Sequence, residues 1–385
     1  MELVPLLEQV VAAGASDVHF KLGQPPVVRL DGELEPLVDH QPLGEGDLDD
    51  VLETITAISP RRRESFEETG DLDIAFSHPT LPRFRVNGFR QRGAISFAFR
   101  VIPSEIPSFE QLHLPSGVKR LASEHRGLIL VTGATGSGKT TTLGAMLDHI
   151  NRTRRQHIVT IEDPIEILHA DRGCIVNQRE IGLDTVSFDQ ALRRVLRQDP
   201  DIILIGELRD TETAHVALQA AESGHLVFST LHTIDTAESI GRMIEFFPPG
   251  KQQQIRSILA GTLRGVVSQR LLPSVTGGRV PAVEVMVTNA RIGDLIRENR
   301  PDEIPDAIDA GEYYEMQTFT RSLIDLVLSN QVEREVAANA ATNRHDFLVA
   351  LENAEKRQDD DTAQGKVAAT RPGAPLLRVA DAGRL

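Results

Sequence analysis

Residues 133–141 read GATGSGKTT and contain the spacing Gly133-x-x-x-x-Gly138-Lys139-Thr140 of a phosphate-binding loop. Each residue type has a physical reason. Glycines at 133, 136 and 138 let the backbone curl, so that successive N–H groups converge on an anion. Lys139 reaches the β- and γ-phosphates, and the Thr140 hydroxyl is a magnesium ligand. The helix that must follow aims the positive end of its dipole at the same point. The candidate ligands of ATP are therefore Gly133, Ala134, Thr135, Gly136, Ser137, Gly138, Lys139, Thr140 and Thr141, with Mg²⁺ as the accompanying ion.

A phosphate loop needs a carboxylate from a second strand for magnesium or its water shell. The stretch RQDPDIILIGELRD, 197–210, supplies one: the aliphatics Ile202 to Ile205 read as a buried strand, and Glu207 is the acid directly at its end. An unpaired carboxylate in a core is costly, so Glu207 needs a cationic partner or a working cleft. It is the candidate metal residue beside Thr140. A third strand, HIVTIEDPIEI, brings Glu162, Asp163 and Glu166, with Pro164 stopping the strand. Three acids exceed the needs of one magnesium ion, and one of them is a candidate general base. His225 and His232 sit seven apart, on opposite faces of a strand, and make a poor metal pair. His232 falls at the ligand end of that strand. No H-E-x-x-H pattern exists and Cys174 is the single cysteine, which argues against a protein-held transition metal.

These residues need a parallel sheet to gather them. From 118 onward short apolar runs (GLILVTG, HIVTIEDP, DIILIGEL, HLVFSTLH) alternate with helical patterns, which predicts a parallel sheet with crossover helices over 118–355. Residues 251–270, 290–299 and 316–330 read as a helical C-terminal part of that domain. Residues 1–102 read as an α+β unit: a first helix, strands on either side of an Asp31-Gly32 turn, a helical stretch near 47–58, and an antiparallel meander rich in arginine. The proline-rich segment 103–117 reads as a linker. Residues 356–385, polar and rich in Ala, Pro and Gly, read as a disordered tail.

The 385 residues carry a formal net charge of −15, which opposes a general nucleic-acid binder. There is no tryptophan and there are only two tyrosines, so aliphatic side chains must fill the cores. No apolar run reaches the ~20 residues of a membrane span. The N-terminus lacks a basic region and reads as a mature amphipathic helix, so the expectation is a soluble, cytoplasmic protein.

Taken in order, these stretches resemble the type II/IV secretion ATPases, and most closely the type IV pilus retraction ATPases, the PilT family. The resemblance spans about 1–330. It rests on GASDVHFKLGQPPVVRLDGEL and RFRVNGFRQRG near the N-terminus, on GATGSGKTTT, TIEDPIE, NQREIG, ALRRVLRQDPDIILIGELRD and GHLVFSTLHT in the core, and on LRGVVSQRLLP and MQTFTRSLIDL beyond it. It implies a PAS-like N-terminal domain, a RecA-like ATPase domain and a homohexameric ring. It implies that Glu166 and Glu207 are catalytic and that His232 lies near the nucleotide. It also implies that N-terminal-domain arginines reach the phosphates; Arg85 and Arg100 match the family's spaced pair. Arg193 and Arg197, at i and i+4, would share a helix face lining the ring. The implied function is an ATP-hydrolysing motor for pilus retraction and twitching motility. It would act from the cytoplasmic side of the inner membrane on a pilus platform protein, touching the membrane only through that partner. One segment departs: the family's helix reading close to AIRNLIRE is here RIGDLIRE, 291–298, with Gly293 and Asp294 in place of arginine and asparagine. That departure keeps open a second function, a nucleotide-gated ring scaffold or accessory ATPase with little motor activity of its own. A nucleic-acid translocase is opposed by the acidic charge and the lack of aromatic stacking platforms.

Overall fold

The computed structural model describes residues 2–30, 32–102 and 105–363. The N-terminal unit opens with α1 (Leu3–Ala12), whose Leu3, Leu6, Leu7 and Val10 recur at helical spacing and are buried. Strands β1 (Asp17–Lys21), β2 (Val27–Leu30) and β3 (Glu33–Pro36) follow, then α2 (Glu45–Thr56) and α3 (Pro60–Thr69). The β2–β3 turn passes through Gly32 at φ 92°; Asp31, its expected partner there, lies outside the described residues. Helix α3 gives no apolar period to read, since only Phe66 is buried in PRRRESFEET. It is bounded instead by Pro60 at its start and by Gly70 in the left-handed region at its end. Strands β4 (Asp71–His78), β5 (Leu81–Gln91) and β6 (Ala94–Val101) form the expected meander. The sheet order is β3-β2-β1-β6-β5-β4. Its core is aliphatic as expected but also holds a phenylalanine cluster: the rings of Phe20 and Phe99 meet edge to face at 5.1 Å, and Phe84 packs on Phe99 at 6.1 Å.

The P-loop unit begins with α4 (Ser116–Ala122) and the fully buried β7 (Gly127–Thr132), followed by α5 (Lys139–Thr153). Next come β8 (His157–Glu162), β9 (Ile175–Glu180), α6 (Phe188–Val195), β10 (Ile202–Ile205), α7 (Thr211–Glu222), β11 (Leu226–Leu231), α8 (Thr236–Glu245) and α9 (Pro249–Thr262). The seven-stranded sheet runs β13-β12-β7-β11-β10-β8-β9, completed by β12 (Leu263–Pro273) and β13 (Arg279–Val287). All its pairings are parallel except β12 with β13. The carboxyl ends of β7, β8, β10 and β11 therefore open on one edge, where such sheets meet their ligands.

One expected element is overturned. Residues 251–270, read as helical, divide at Leu263: α9 ends there and β12 enters the sheet beside β7. The strand is buried continuously from Gly265 to Gln269, so its central residues show neither helical nor alternating period. Gly265 marks the close approach. A Cβ there would meet Leu121 Cδ2 at 2.4 Å and the Met286 carbonyl oxygen at 2.5 Å.

The chain finishes with α10 (Ala290–Arg297), α11 (Ile304–Asp309), α12 (Phe319–Leu328), α13 (Arg334–Ala340) and α14 (Arg344–Ala363). Helix α10 forms despite Gly293, because Asn289 caps it and Ile292, Leu295 and Ile296 bury one face. Asp294, on the other face, bonds Arg297 at 2.7 Å. Helix α14 continues to Ala363, past position 356 where the tail was expected to begin. The rest of that expected tail, 364–385, lies outside the described residues, as do Pro103 and Ser104 of the expected linker.

Candidate active site

Strand β7 delivers its chain directly into the phosphate loop. Gly133, Gly136 and Gly138 have φ of 142°, 79° and 92°, values that side-chain-bearing residues rarely adopt. At Gly133 space is equally restrictive: a Cβ would lie 2.4 Å from the Gln269 carbonyl oxygen and 2.5 Å from Ser137 Oγ. Lys139 Nζ donates to the Gly133 and Ala134 carbonyls at 2.8 and 3.0 Å, so the ammonium sits over the loop. Burial holds Lys139 below the ordinary lysine value, while the charges of Glu207 and Glu166 pull the other way. Ser137 Oγ is buried without a partner inside this loop. An ammonium, an orphaned hydroxyl and a glycine-curled backbone fit a polyphosphate. Thr140 and Thr141 open α5 directly behind Lys139.

Beyond β10, Gly206 N–H donates to Ile161 at 2.9 Å and the Gly206 carbonyl accepts from the Thr230 hydroxyl at 2.7 Å. The turn carrying Glu207 is thus held from both neighbouring strands. The Glu207 side chain is 20 % exposed, with Oε1 3.1 Å from His232 Nε2 and Oε2 2.8 Å from Arg209 Nε. It has the cationic partner that a core acid requires, and it also faces the site. His232 arrives from the end of β11, as its position after the apolar run implied; His225, at the other end of that strand, bonds the Ala220 carbonyl and plays no part here.

The three acids after β8 separate by environment. Glu162 is buried, accepts from the Thr160 hydroxyl at 2.6 Å and from Gln178 Nε2 at 3.1 Å, and is pushed up to about 7 by desolvation. Asp163 is exposed and joins Pro164 through a cis peptide. Glu166 projects from the loop, and its Oε1 accepts from Arg85 Nη1 of the N-terminal unit at 2.9 Å. The loop itself is pinned by β9. Glu180 Oε2 accepts the Ile165 N–H at 3.2 Å, and the Gln178 amide bonds both the Ile167 carbonyl and the His169 N–H at 2.8 Å.

Arg85 and Arg100 face each other across the β5–β6 ladder. Only Arg85 is brought to the site. Arg100 donates to Asp17 Oδ1 at 2.9 Å, its side chain remains 72 % exposed, and among the described residues no contact joins it to the phosphate loop. Arg193 bonds Asp189 at 2.7 Å and Glu212 at 2.8 Å. Arg197 does not continue its helix face, because α6 ends at Val195. Among the described residues no group of three or more His, Cys, Asp or Glu side chains could hold a metal ion.

The pattern of the family described as "Type II/IV secretion system protein" matches residues 111–352. A protein of Pseudomonas aeruginosa described as "Type IV pilus retractation ATPase PilT" is 43 % identical over 347 residues, covering 90 % of this chain and all of that one. The chain belongs to the PilT family of the type II/IV secretion ATPases. A second relative, the "Twitching motility protein" of Neisseria gonorrhoeae, is 41 % identical, with 83 % of this chain and 84 % of that one covered. The crystal structure of the pilus retraction motor PilT with bound ADP superposes with a TM-score of 0.83 at 42 % identity, over 90 % of this chain and 98 % of the other. The likeness takes in both units, so the expected α/β class, a sheet-bearing N-terminal unit joined to an ATPase unit, stands.

Arg83, Glu180 and Gln178 were not singled out from the sequence as site residues. Arg83 had a usable signal, since it stands two positions before Arg85 and so shares its face of a strand. Glu180 and Gln178 lie in NQREIG, a stretch the resemblance rests on, but nothing in it assigned them a role, because they bond backbone atoms of a loop that only the folded chain brings to them.

Proposed function

We propose that the protein hydrolyses ATP at the edge formed by β7, β8, β10 and β11, and that the energy drives retraction of a type IV pilus. The observation that carries this reading is the glycine-curled loop with Lys139 Nζ over its carbonyls, on the same sheet edge where Glu207 is held beyond β10 by His232 and Arg209. The full-length similarity to the Pseudomonas aeruginosa protein supports the pilus as the load.

The loop 133–138 and Lys139 bind the phosphates. Thr140 and Glu207 would hold a magnesium ion or its water shell, and that ion supplies charge neutralisation at the β- and γ-phosphates. Glu207, fixed by His232 and Arg209, orients; Glu166 accepts the proton of the attacking water. The water oxygen bonds to the γ-phosphorus as the bond to the bridging oxygen breaks, and ADP leaves with that oxygen. Arg85 holds Glu166 until a γ-phosphate competes for its guanidinium. Its transfer to the phosphate stabilises the transition-state charge and frees the carboxylate. Arg100, of this subunit or a neighbour, approaches only if it gives up Asp17.

The protein works as a homohexameric ring at the cytoplasmic face of the inner membrane, engaging a platform protein there. Among the described residues no helix is long and apolar enough to cross a membrane. Phosphate release by the purified protein, together with imaging of pilus retraction in a deletion strain complemented with wild-type or Lys139→Ala alleles, tests the proposal. Nucleotide-dependent rings with negligible phosphate release would favour the scaffold instead.

A further inference from the structure

The loop bearing Glu166 is joined to the N-terminal unit twice. The first link is direct, Arg85 to Glu166. The second runs through a residue the chemistry above does not use. Glu180 ends β9, opposite Glu162 in the parallel β8–β9 ladder. Its Oε2 accepts both the Ile165 N–H, one residue before Glu166, and the guanidinium of Arg83. Because Arg83 and Arg85 stand at i and i+2 on β5, they present the same face, while Phe84 between them is buried in the N-terminal core. A single rigid strand thus holds the Glu166 carboxylate with one arginine and the base of its loop with the other. A third arginine, Arg62 of α3, donates to the Ile181 carbonyl just past β9 at 2.7 Å.

Stability alone is a poor reason for this pair. The side chains of Arg83 and Glu180 are 12 % and 1 % exposed. Desolvation of such a pair offsets much of its attraction, and apolar substitutes often do as well. Arg83 is not even fully satisfied, since its Nε is buried without a partner. What a buried ion pair supplies is a defined geometry, and this one lies where two units meet beside the reacting acid.

We propose that Arg83 and Glu180 are positioning residues for hydrolysis, transmitting the placement of the N-terminal unit to Glu166 through the Ile165 N–H. The pair forms when the unit is seated as described and breaks when it swings away, so that water activation is coupled to the seating of the N-terminal unit. This rests on Glu166 being the proton acceptor.

The test uses the full chain with Arg83→Gln, Glu180→Gln and the double variant, each measured for nucleotide affinity with a fluorescent ATP analogue and for kcat by phosphate release. Glu180→Gln keeps an oxygen for Ile165 and the side-chain volume, so it removes the ion pair with little threat to folding. Each single variant is expected to lower kcat on the order of tenfold to a hundredfold, as small misplacements do, with nucleotide affinity unchanged. The double variant should be no worse than the weaker single, and Arg83→Lys should restore part of the rate. In a Glu166→Gln background, Arg83→Gln should cost nothing further. Additive losses, or a lowered melting temperature with kcat intact, would overturn the positioning role. A Glu166→Gln protein as active as wild type would instead overturn the choice of base, whatever the Arg83 variants do.

Discussion

Glu207 Oε1 lies 3.1 Å from His232 Nε2, which joins the chain just beyond β10 to the chain just beyond β11 at the carboxyl edge of the sheet. The carboxylate's other oxygen is held by Arg209. Glu207 is therefore oriented before nucleotide arrives, and orientation rather than affinity is what its loss should remove. Glu207→Gln is expected to bind ATP as wild type does and to release phosphate slower by on the order of a hundredfold or more, the scale of losing one preorganised catalytic group. His232→Ala should act in the same direction and more weakly. Equilibrium binding beside single-turnover phosphate release separates the two effects.

Arg85 should show the signature of a group used in the transition state. Arg85→Ala is expected to lower kcat and kcat/KM together, on the order of a hundredfold, with little change in ADP affinity. A rise in KM alone, at unchanged kcat, would reduce Arg85 to a binding residue.

Glu162 gives a pH dependence whose sign can be worked out. Burial raises its folded pKa to about 7 from 4.5. Between those values the native state holds a proton that the unfolded chain has released. This contribution therefore favours folding below about pH 4.5 and is lost as pH rises through about 7. Glu162→Gln keeps a neutral hydrogen-bonding group and is expected to flatten the fall in melting temperature between pH 5 and 7. The difference across that window is on the order of 2–3 kcal/mol. Thermal unfolding of both proteins through that range is the measurement; parallel curves would show that Glu162 is ionised in the native state.

Two glycines make opposite stability predictions. At Gly293 an added Cβ meets nothing closer than Arg297 Nη1 at 3.5 Å. Gly293→Ala should stabilise by roughly 0.5–1 kcal/mol through helix propensity and leave ATP turnover unchanged. At Gly265 the same change drives a methyl into Leu121 and the Met286 carbonyl. Gly265→Ala should therefore cost about 1–3 kcal/mol. Denaturant unfolding reports both.

Much of the site was legible because its chemistry is local in sequence. The phosphate loop, Glu207 at the end of Ile202–Ile205 and the acids of TIEDPIE each sit on a strand whose apolar run announces it. Strand β12 was hidden for a related reason. Buried from both sides, it has no alternation, and LRGVVSQRLLP reads equally as a helix segment until the sheet claims it. Helix α3 was hidden for the opposite reason, having almost no apolar face. The arginine pair Arg85 and Arg100 followed the resemblance, but the fold divides their partners: Glu166 for one, Asp17 for the other. The contact of Arg83 with Glu180 spans 97 positions and exists only once the two units are seated together.

The central claim is that one site, built around Lys139, turns over ATP to do mechanical work. The most direct measurement is steady-state phosphate release by the purified wild-type and Lys139→Ala proteins, read beside pilus retraction in cells carrying the same alleles. The account expects turnover and retraction with the wild type and loss of both with Lys139→Ala. Retraction that persists with Lys139→Ala as the only copy of the protein would contradict it.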